Sequence, residues 1–269
     1  MTEMTREEEG GADCIRSERV SEHVLLIRFD RYAKRNALTN AMVLEIARLL
    51  NEAKADVQLR CVVFTGTEAV FSAGADLKNM RKLGVMNVVN DPLRVEAWNT
   101  LQTFPKPMIA AVNGIAFGAG NELAMCCDFV IAGRNAQFGQ PEVKTAGMAG
   151  DGGTQRLPRK FGPNLAAYML MTGDPVDAET AHRVGYVVEV CEPEKTLARA
   201  LEIATVIAKR APLAVQATKA CIHAAVGATF ENGLALERVL VIRNMGTADR
   251  QEGLAAFAEK REPRFTGVR

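Results

Sequence analysis

The sequence predicts an α/β core followed by an all-helical region, and three observations carry that prediction. Apolar runs of strand length, among them Cys61–Thr65 and Met108–Val112, alternate with stretches of helical spacing up to about residue 190. Beyond Glu192-Pro193 only helical patterns follow. The 269 residues suffice for one large domain, or for a core with an appendage. No internal repeat of fixed period is visible.

Residues 1–15 are acidic and polar at the start (MTEMTREEEGGADC) and read as a flexible tail. Residues 20–29 carry Val24, Leu25, Leu26, Ile27 and Phe29 and read as a strand, and residues 30–36 as a charged turn. Thr39 is a candidate N-cap for a helix to about residue 56, with Val43, Leu44, Ala47, Leu50 and Ala53 at helical spacing. The strand Cys61–Thr65 is closed by Gly66; residues 78–91 are polar and fit no pattern; residues 93–103 read as a helix ending before Pro105. Met108–Val112 is a strand bounded by Pro107 and the Asn113-Gly114 turn signal. A glycine-rich turn and a helix follow, then a strand at 129–132.

Residues 136–153 are glycine-rich and aperiodic and read as a functional loop. Pro163 opens a helix through Thr172 with Gly173 just past its end; Asp177 caps a short helix to Val184; residues 186–190 form a last strand. Helices then cover 196–210, 213–225, 229–245 and 247–261, with Pro212 and Gly227 separating them. Leu234, Leu236, Leu240 and Ile242 give this region more apolar surface than a thin appendage buries alone, so a closed symmetric oligomer is expected.

Composition excludes several classes. With 48% apolar and 24% charged residues and a net charge of +1, the chain has an ordinary globular make-up without the basic excess of a nucleic-acid binder. No apolar run is long enough for a membrane span. The N-terminal residues resemble neither a secretory signal nor an Arg-rich transit peptide, so a cytoplasmic location is the default expectation. Cys14, Cys61, Cys126, Cys127, Cys191 and Cys221 show no zinc-ligand spacing and are expected to be small buried thiols. His23, His182 and His223 lie far apart in sequence without a catalytic or metal motif around them.

Chemistry concentrates in two stretches. In the segment PKPMIAAVNGIAFGAGNELAMCCD (residues 105–128), Gly118 and Gly120 open a helix whose first turn carries Glu122. Small residues there let another group approach the backbone, and the free N–H groups at the positive end of the helix suit a developing oxyanion. Alone, the stretch reads equally as a helix start with a favourable Glu. FSAGADLKNM (residues 71–80) again places Ala and Gly where backbone N–H groups are left exposed after a strand. Two such donors aimed at one oxygen form an oxyanion hole.

Further pieces follow the same order: KRNAL (34–38), FGQPEV (138–143) and GGTQRLPR (152–159). Together with FSAGADL (71–77) and AAVNGIAFGAGNELAMCCD (110–128), they make the chain resemble the crotonase, or enoyl-CoA hydratase/isomerase, family from about residue 20 to the C-terminus. The resemblance implies a crotonase-like spiral of repeated ββα units over residues 16–195 and a C-terminal helical trimerisation region over 196–269. It also implies a homotrimer or dimer of trimers acting on acyl-CoA thioesters, with no nucleic-acid or membrane partner. No metal or other cofactor is implied, since coenzyme A is part of the substrate.

By the same resemblance, the oxyanion donors are the backbone N–H groups of Ala75 and Ala119, and the acids that distinguish hydratases are Glu122 and Glu142. Adding water to a conjugated double bond needs one proton taken from water and one delivered to the α-carbon, which two carboxyls around one water supply. The CoA moiety is expected at Lys34, Ala37, Ala73, Asp76 and Leu77 and beside Gly118, with Phe257 and Lys260 reaching a neighbouring subunit's CoA. The implied reaction is hydration of a 2-trans-enoyl-CoA to a 3-hydroxyacyl-CoA in lipid metabolism. The alternatives are a double-bond isomerase, an acyl-CoA hydrolase or lyase, and a noncatalytic or RNA-binding member, the last opposed by the near-neutral charge and both glutamates. Three departures stand out: Asp30-Arg31-Tyr32 where many relatives have proline, Asn121 before Glu122, and Asp151 where hydratases carry a small apolar residue. Asp151 is expected to be a turn residue bonding its own loop backbone.

Overall fold

In the computed structural model, which describes residues 11–268, the chain enters through a β-hairpin. Ile15–Ser21 (β1) pairs antiparallel with Val24–Phe29 (β2). The sequence pattern showed only the second strand because β1 buries Ile15 alone and exposes the rest. Its charged Arg16, Glu18 and Arg19 suit an edge strand. Within the tail expected at residues 1–15, residues 12–14 form a 3₁₀ turn, and Cys14 and Ile15 enter the core. Residues 1–10 lie outside the described part.

Helix Asn40–Ala55 (α1) starts where Thr39 accepts the N–H of Met42. Next come Cys61–Thr65 (β3), Val70–Ser72 (β4), the short helices Leu77–Leu83 (α2) and Val85–Val89 (α3), and Pro92–Thr103 (α4). Met108–Val112 (β5), Ile115–Phe117 (β6) and Ala119–Cys126 (α5) form the central unit. Phe129–Gly133 (β7) and Gln137–Gly139 (β8) lead to a 3₁₀ turn at Pro141–Thr145 and to helices Gly153–Phe161 (α6) and Pro163–Thr172 (α7). Val176–Asp177 (β9), Ala178–Arg183 (α8) and Val187–Cys191 (β10) close the alternating part. Thr196–Ala208 (α9), Pro212–Gly227 (α10), Phe230–Met245 (α11) and Ala248–Glu259 (α12) follow.

The strands divide between two sheets, one ordered β1-β2-β3-β5-β7-β10 and one β4-β6-β8-β9. From β2 to β10 the larger sheet is parallel, and β4, β6 and β8 are parallel in the smaller one. Each turn of the chain thus lays one strand in each sheet, the repeated ββ arrangement that the family resemblance implied. Both faces of the larger sheet are covered, which is why β3 and β5 read as unbroken apolar runs. Val62 and Phe64 of β3 join the core shared with α1, α4 and α5, while Cys61 and Val63 point the opposite way.

That opposite face is covered by α9, whose Ala200, Ala204 and Ala208 form a small-residue stripe against Val24, Leu26, Ile109 and Ile131. The core therefore extends past the boundary expected at residue 195: α9 is a layer of it, and the appended helices begin at Pro212. A partly buried ion pair ties α10 to the core. Lys219 Nζ binds Asp128 Oδ2 (2.9 Å) and the Lys106 carbonyl (2.8 Å), while Asp128 Oδ2 also accepts the Met108 N–H (2.7 Å). Of the cysteines, Cys14, Cys61, Cys126 and Cys127 are buried as expected, but Cys191 and Cys221 are only partly so. Among the described residues no helix is long and apolar enough to cross a membrane.

Candidate active site

Three loops meet at one rim because β4, β6 and β8 are parallel neighbours and end at the same side. β4 releases Gly74-Ala75, β6 releases Gly118-Ala119, and β8 releases Gln140-Pro141-Glu142. Segments up to about seventy residues apart in the chain are thereby set side by side. Gly74 and Gly118 adopt φ of +103° and +51°, which side chains rarely tolerate. A methyl on Gly74 would fall 2.9 Å from the Phe117 carbonyl oxygen. One on Gly118 would fall 2.9 Å from Glu142 Oε1 and 3.7 Å from Gly74 Cα. The two glycine turns are thus in mutual contact, with the Glu142 carboxyl against them.

The hydrogen bonds around Ala75 leave its N–H over. Ala73 N bonds the Arg35 carbonyl (2.9 Å), Gly74 N bonds Ser72 Oγ (3.2 Å), and Asp76 N bonds the Leu38 carbonyl (2.9 Å). Ala119 is the first residue of α5, where a helix leaves its N–H groups without intrahelical acceptors. Gly118 N just before it is taken by the Gly139 carbonyl (3.0 Å). Among the described residues no loop carbonyl or side chain accepts from Ala75 N or Ala119 N. Two donors from touching loops, one of them at the positive end of a helix, are the geometry that stabilises an oxyanion.

Two carboxyls accompany them. Glu122, in the first turn of α5, is 1% exposed, and its Oε1 accepts the N–H groups of Asp151 (2.9 Å) and Gly153 (2.7 Å). Burial and the charges of Asp151 and Glu142 push its carboxyl up to about 7, against the pull of those N–H groups. Glu142, on the 3₁₀ turn, is also raised, mainly by burial and further by Asp151. Its Oε1 lies 3.4 Å from the Gln140 amide, and its buried Oε2 has no hydrogen-bond partner. Buried polar atoms are otherwise almost always satisfied, so an orphaned carboxyl oxygen marks a place for a ligand or water. Beneath them, the Asn121 and Gln140 amides pair at 3.0 Å, and Tyr186 Oη reaches Asn121 Oδ1 (3.3 Å). Asn121, the departure noted before Glu122, is part of this buried support.

Asp151 corrects the expectation placed on it. Its carboxylate does not turn back to its own loop but pairs with Arg94 of α4. Burial raises the Asp151 carboxyl, and the positive charges of Arg94 and Arg156 only partly offset this. Arg94 was missed in the sequence, although a signal was available: it shares the buried face of α4 with Ala97, Trp98 and Leu101 at helical spacing. Arg31 was also underrated. It is 2% exposed and bonds Asp76 Oδ2 (2.7 Å) and the Ala37 carbonyl (2.9 Å), bracing the turn that carries Ala75.

Lys34, Ala37, Asp76 and Leu77 line one surface cavity of about 820 Å³ together with the donor residue Ala75, so the chain brings half of the expected CoA set together. Ala73 and Gly118 flank the donor turns without lining it. The Asp76 side chain is already engaged. Burial works against its charge, but the Asn79 N–H that it caps (2.9 Å) and Arg31 hold it below the usual range. Phe257, 85% exposed, and Lys260, just past α12, do not line this cavity within one chain. Among the described residues no group of three or more His, Cys, Asp or Glu side chains is placed to hold a metal ion.

Known proteins resemble this chain along nearly its whole length. The model of the enoyl-CoA hydratase/isomerase family matches residues 19–268. A 2,3-dehydroadipyl-CoA hydratase of Escherichia coli is 43% identical over 91% of this chain and 96% of its own length. A crotonyl-CoA hydratase of Syntrophomonas wolfei is 37% identical over 91% and 95%. The crystal structure of an enoyl-CoA hydratase from Bacillus anthracis superposes with a TM-score of 0.89 at 35% identity, covering 94% of this chain and 99% of that one. Sequence, fold and rim geometry together make this chain an enzyme of the enoyl-CoA hydratase/isomerase, or crotonase, family.

Proposed function

We propose that this chain adds water across a 2-trans-enoyl-CoA to give a 3-hydroxyacyl-CoA. The observation that carries the reading is that two backbone donors without a protein acceptor and two glutamates with raised carboxyls, Glu122 buried and Glu142 half-buried, stand at one rim. In this reading the thioester oxygen accepts the N–H groups of Ala75 and Ala119, which stabilise the enolate that develops as water attacks C3. One of Glu122 and Glu142 is ionised and takes the proton from that water. The other is protonated and delivers its proton to C2. Raised carboxyls close to each other favour this one-proton division. The reaction as written needs no cofactor, because coenzyme A arrives with the substrate.

A pure double-bond isomerase would draw support from a third free acid beside the glutamates. Asp151 is the candidate, but its carboxylate is occupied by Arg94. The direct test is crotonyl-CoA and 2,3-dehydroadipyl-CoA, for which two relatives are named, incubated in oxygen-18 water and followed by mass spectrometry. Label in a 3-hydroxyl group is the expected result. A 3-enoyl-CoA converted rapidly to its 2-enoyl isomer, with no label entering either product, would sink the assignment.

We further propose a homotrimer or a dimer of trimers. In the single chain no residue of α11 is buried, and Phe230, Val239 and Ile242 are each at least 60% exposed. A helix with this many exposed apolar side chains and no buried residue is expected to cover them in an oligomer. Light scattering at micromolar concentration should return a mass near three or six chains, and a monomer would contradict the proposal.

A further inference from the structure

The turn ahead of α6 is gripped from two sides. The Asp151 carboxylate pairs with the Arg94 guanidinium reaching across from α4. The Asp151 carbonyl accepts from Arg156 Nη1 at 2.7 Å. Arg94 is itself fixed: it is 7% exposed, with its guanidinium carbon 5.8 Å from the centre of the Trp98 ring. Between these anchors the backbone passes through Gly152 at φ +103°. It presents the N–H groups of both Asp151 and Gly153 to one atom, Glu122 Oε1. Both clamps fall on the same oxygen, which leaves Oε2 for chemistry.

We propose that Arg94 and Asp151 form a positioning pair for Glu122, holding the turn that clamps Oε1 so that Oε2 is presented to the reacting atoms. The proposal rests on the hydratase reading for what Glu122 does, but not for how it is held. Stability alone does not account for the pair, since a buried ion pair is commonly no better than apolar residues of the same volume. Precision does: a misplacement of about 1 Å in a reacting group can cost about a hundredfold in rate. With Arg94 on its carboxylate, Asp151 acts through Glu122 and not as a third proton carrier.

The pair has an electrostatic consequence as well. The charged or titratable groups around Glu122 are Asp151 and Arg156 on the α6 side, Glu142 on the 3₁₀ turn, Arg94 behind Asp151, and Cys126 on its own helix. After burial, the Asp151 charge is the largest influence that keeps a proton on Glu122. Removing that negative charge eases ionisation of Glu122, so its titration moves to lower pH.

The test compares wild type, Asp151→Asn and Arg94→Met. Glu122 is titrated by carbon-13 glutamate NMR, with its signal assigned by loss in Glu122→Gln, and hydration of crotonyl-CoA is measured over the same pH range. Asp151→Asn keeps a hydrogen bond to Arg94 while losing the charge. The Glu122 titration should fall by about one pH unit, and the kcat/KM profile should move with it. Arg94→Met releases the turn, so kcat should fall by about tenfold or more while KM stays within about threefold. A Glu122 titration unmoved in Asp151→Asn would overturn the proposal, as would an Arg94→Met loss that lies wholly in KM. If Arg94→Met does not fold, the NMR shift in Asp151→Asn decides alone. The NMR readout stands even if wild type hydrates nothing, so failure of the hydratase reading and failure of the positioning pair are told apart.

Discussion

Glu122→Gln and Glu142→Gln are each expected to lower the turnover number for crotonyl-CoA by about a hundredfold or more, the usual scale for losing a general acid or base. The substitutions are close to isosteric. Gln at 122 retains an oxygen for the Asp151 and Gly153 N–H groups that bind Oε1 in the wild type at 2.9 and 2.7 Å. The loss therefore reports proton transfer and not a collapsed site. Two acids serving one water act as a unit, so the double variant should lose far less than the product of the single losses. Binding of butyryl-CoA should barely change, because the donors proposed for its thioester are the backbone groups of Ala75 and Ala119. Oxygen-18 in the product should depend on both glutamates. If either variant keeps turnover within a few-fold of wild type, the two residues do not form a catalytic pair.

Apart from the edge strand β1, the larger sheet and the long helices were legible in the sequence because they bury enough residues to leave a pattern. Met108–Val112, Cys61–Thr65 and Pro163–Thr172 coincide with the runs from which they were read. The smaller sheet was not legible. β4, β6 and β8 have three residues each, too few for a period-two signal to separate from a loop. Yet those strands align the Gly74, Gly118 and Glu142 turns, so the part of the fold that organises the site is the part with the weakest local signature. The residues 136–153 read as one functional loop contain β8, fixed by pairing with β6 and β9, and the 3₁₀ turn that follows it. The polar stretch 78–91, which fitted no pattern, is mostly two short helices without an extended buried face.

For the site, the motifs pointed to Ala75, Ala119, Glu122 and Glu142, all of which the fold sets at or beside one rim. Local sequence could not show what holds them. Arg94 is 57 positions from Asp151 and Arg31 is 45 from Asp76, and no local pattern couples such pairs. The same distance explains why Asp151 was read as bonding its own loop: within the loop, backbone N–H groups were the partners in view. The carbonyl of that loop is used by Arg156 and its N–H groups by Glu122, which frees the carboxylate for a residue on another helix.

Replacing Glu122 should also stabilise the protein at alkaline pH, the reverse of what removing a structural acid does. The ordinary carboxyl titrates near 4.5, whereas burial first, and then the Asp151 charge, place Glu122 at about 7. The folded chain thus holds this proton more tightly than the unfolded chain. Below the unfolded value both states are protonated and the group is neutral toward stability. As pH rises between the two values, the unfolded chain releases its proton while the folded chain keeps it, and stability falls. Above the folded value the penalty is complete, about 3 kcal/mol at most for a shift of this size. Gln carries no charge and escapes the penalty while keeping the oxygen that the Asp151 and Gly153 N–H groups require. Thermal denaturation of wild type and Glu122→Gln at one protein concentration should therefore give near-equal melting temperatures at about pH 4.5 and a variant several degrees higher at about pH 8. A variant less stable at about pH 8, or a difference that does not change with pH, would show that Glu122 is held mainly as an ion satisfied by its two N–H donors. The expected result, activity lost while stability is gained, is the mark of a carboxyl retained for chemistry at a cost to the fold.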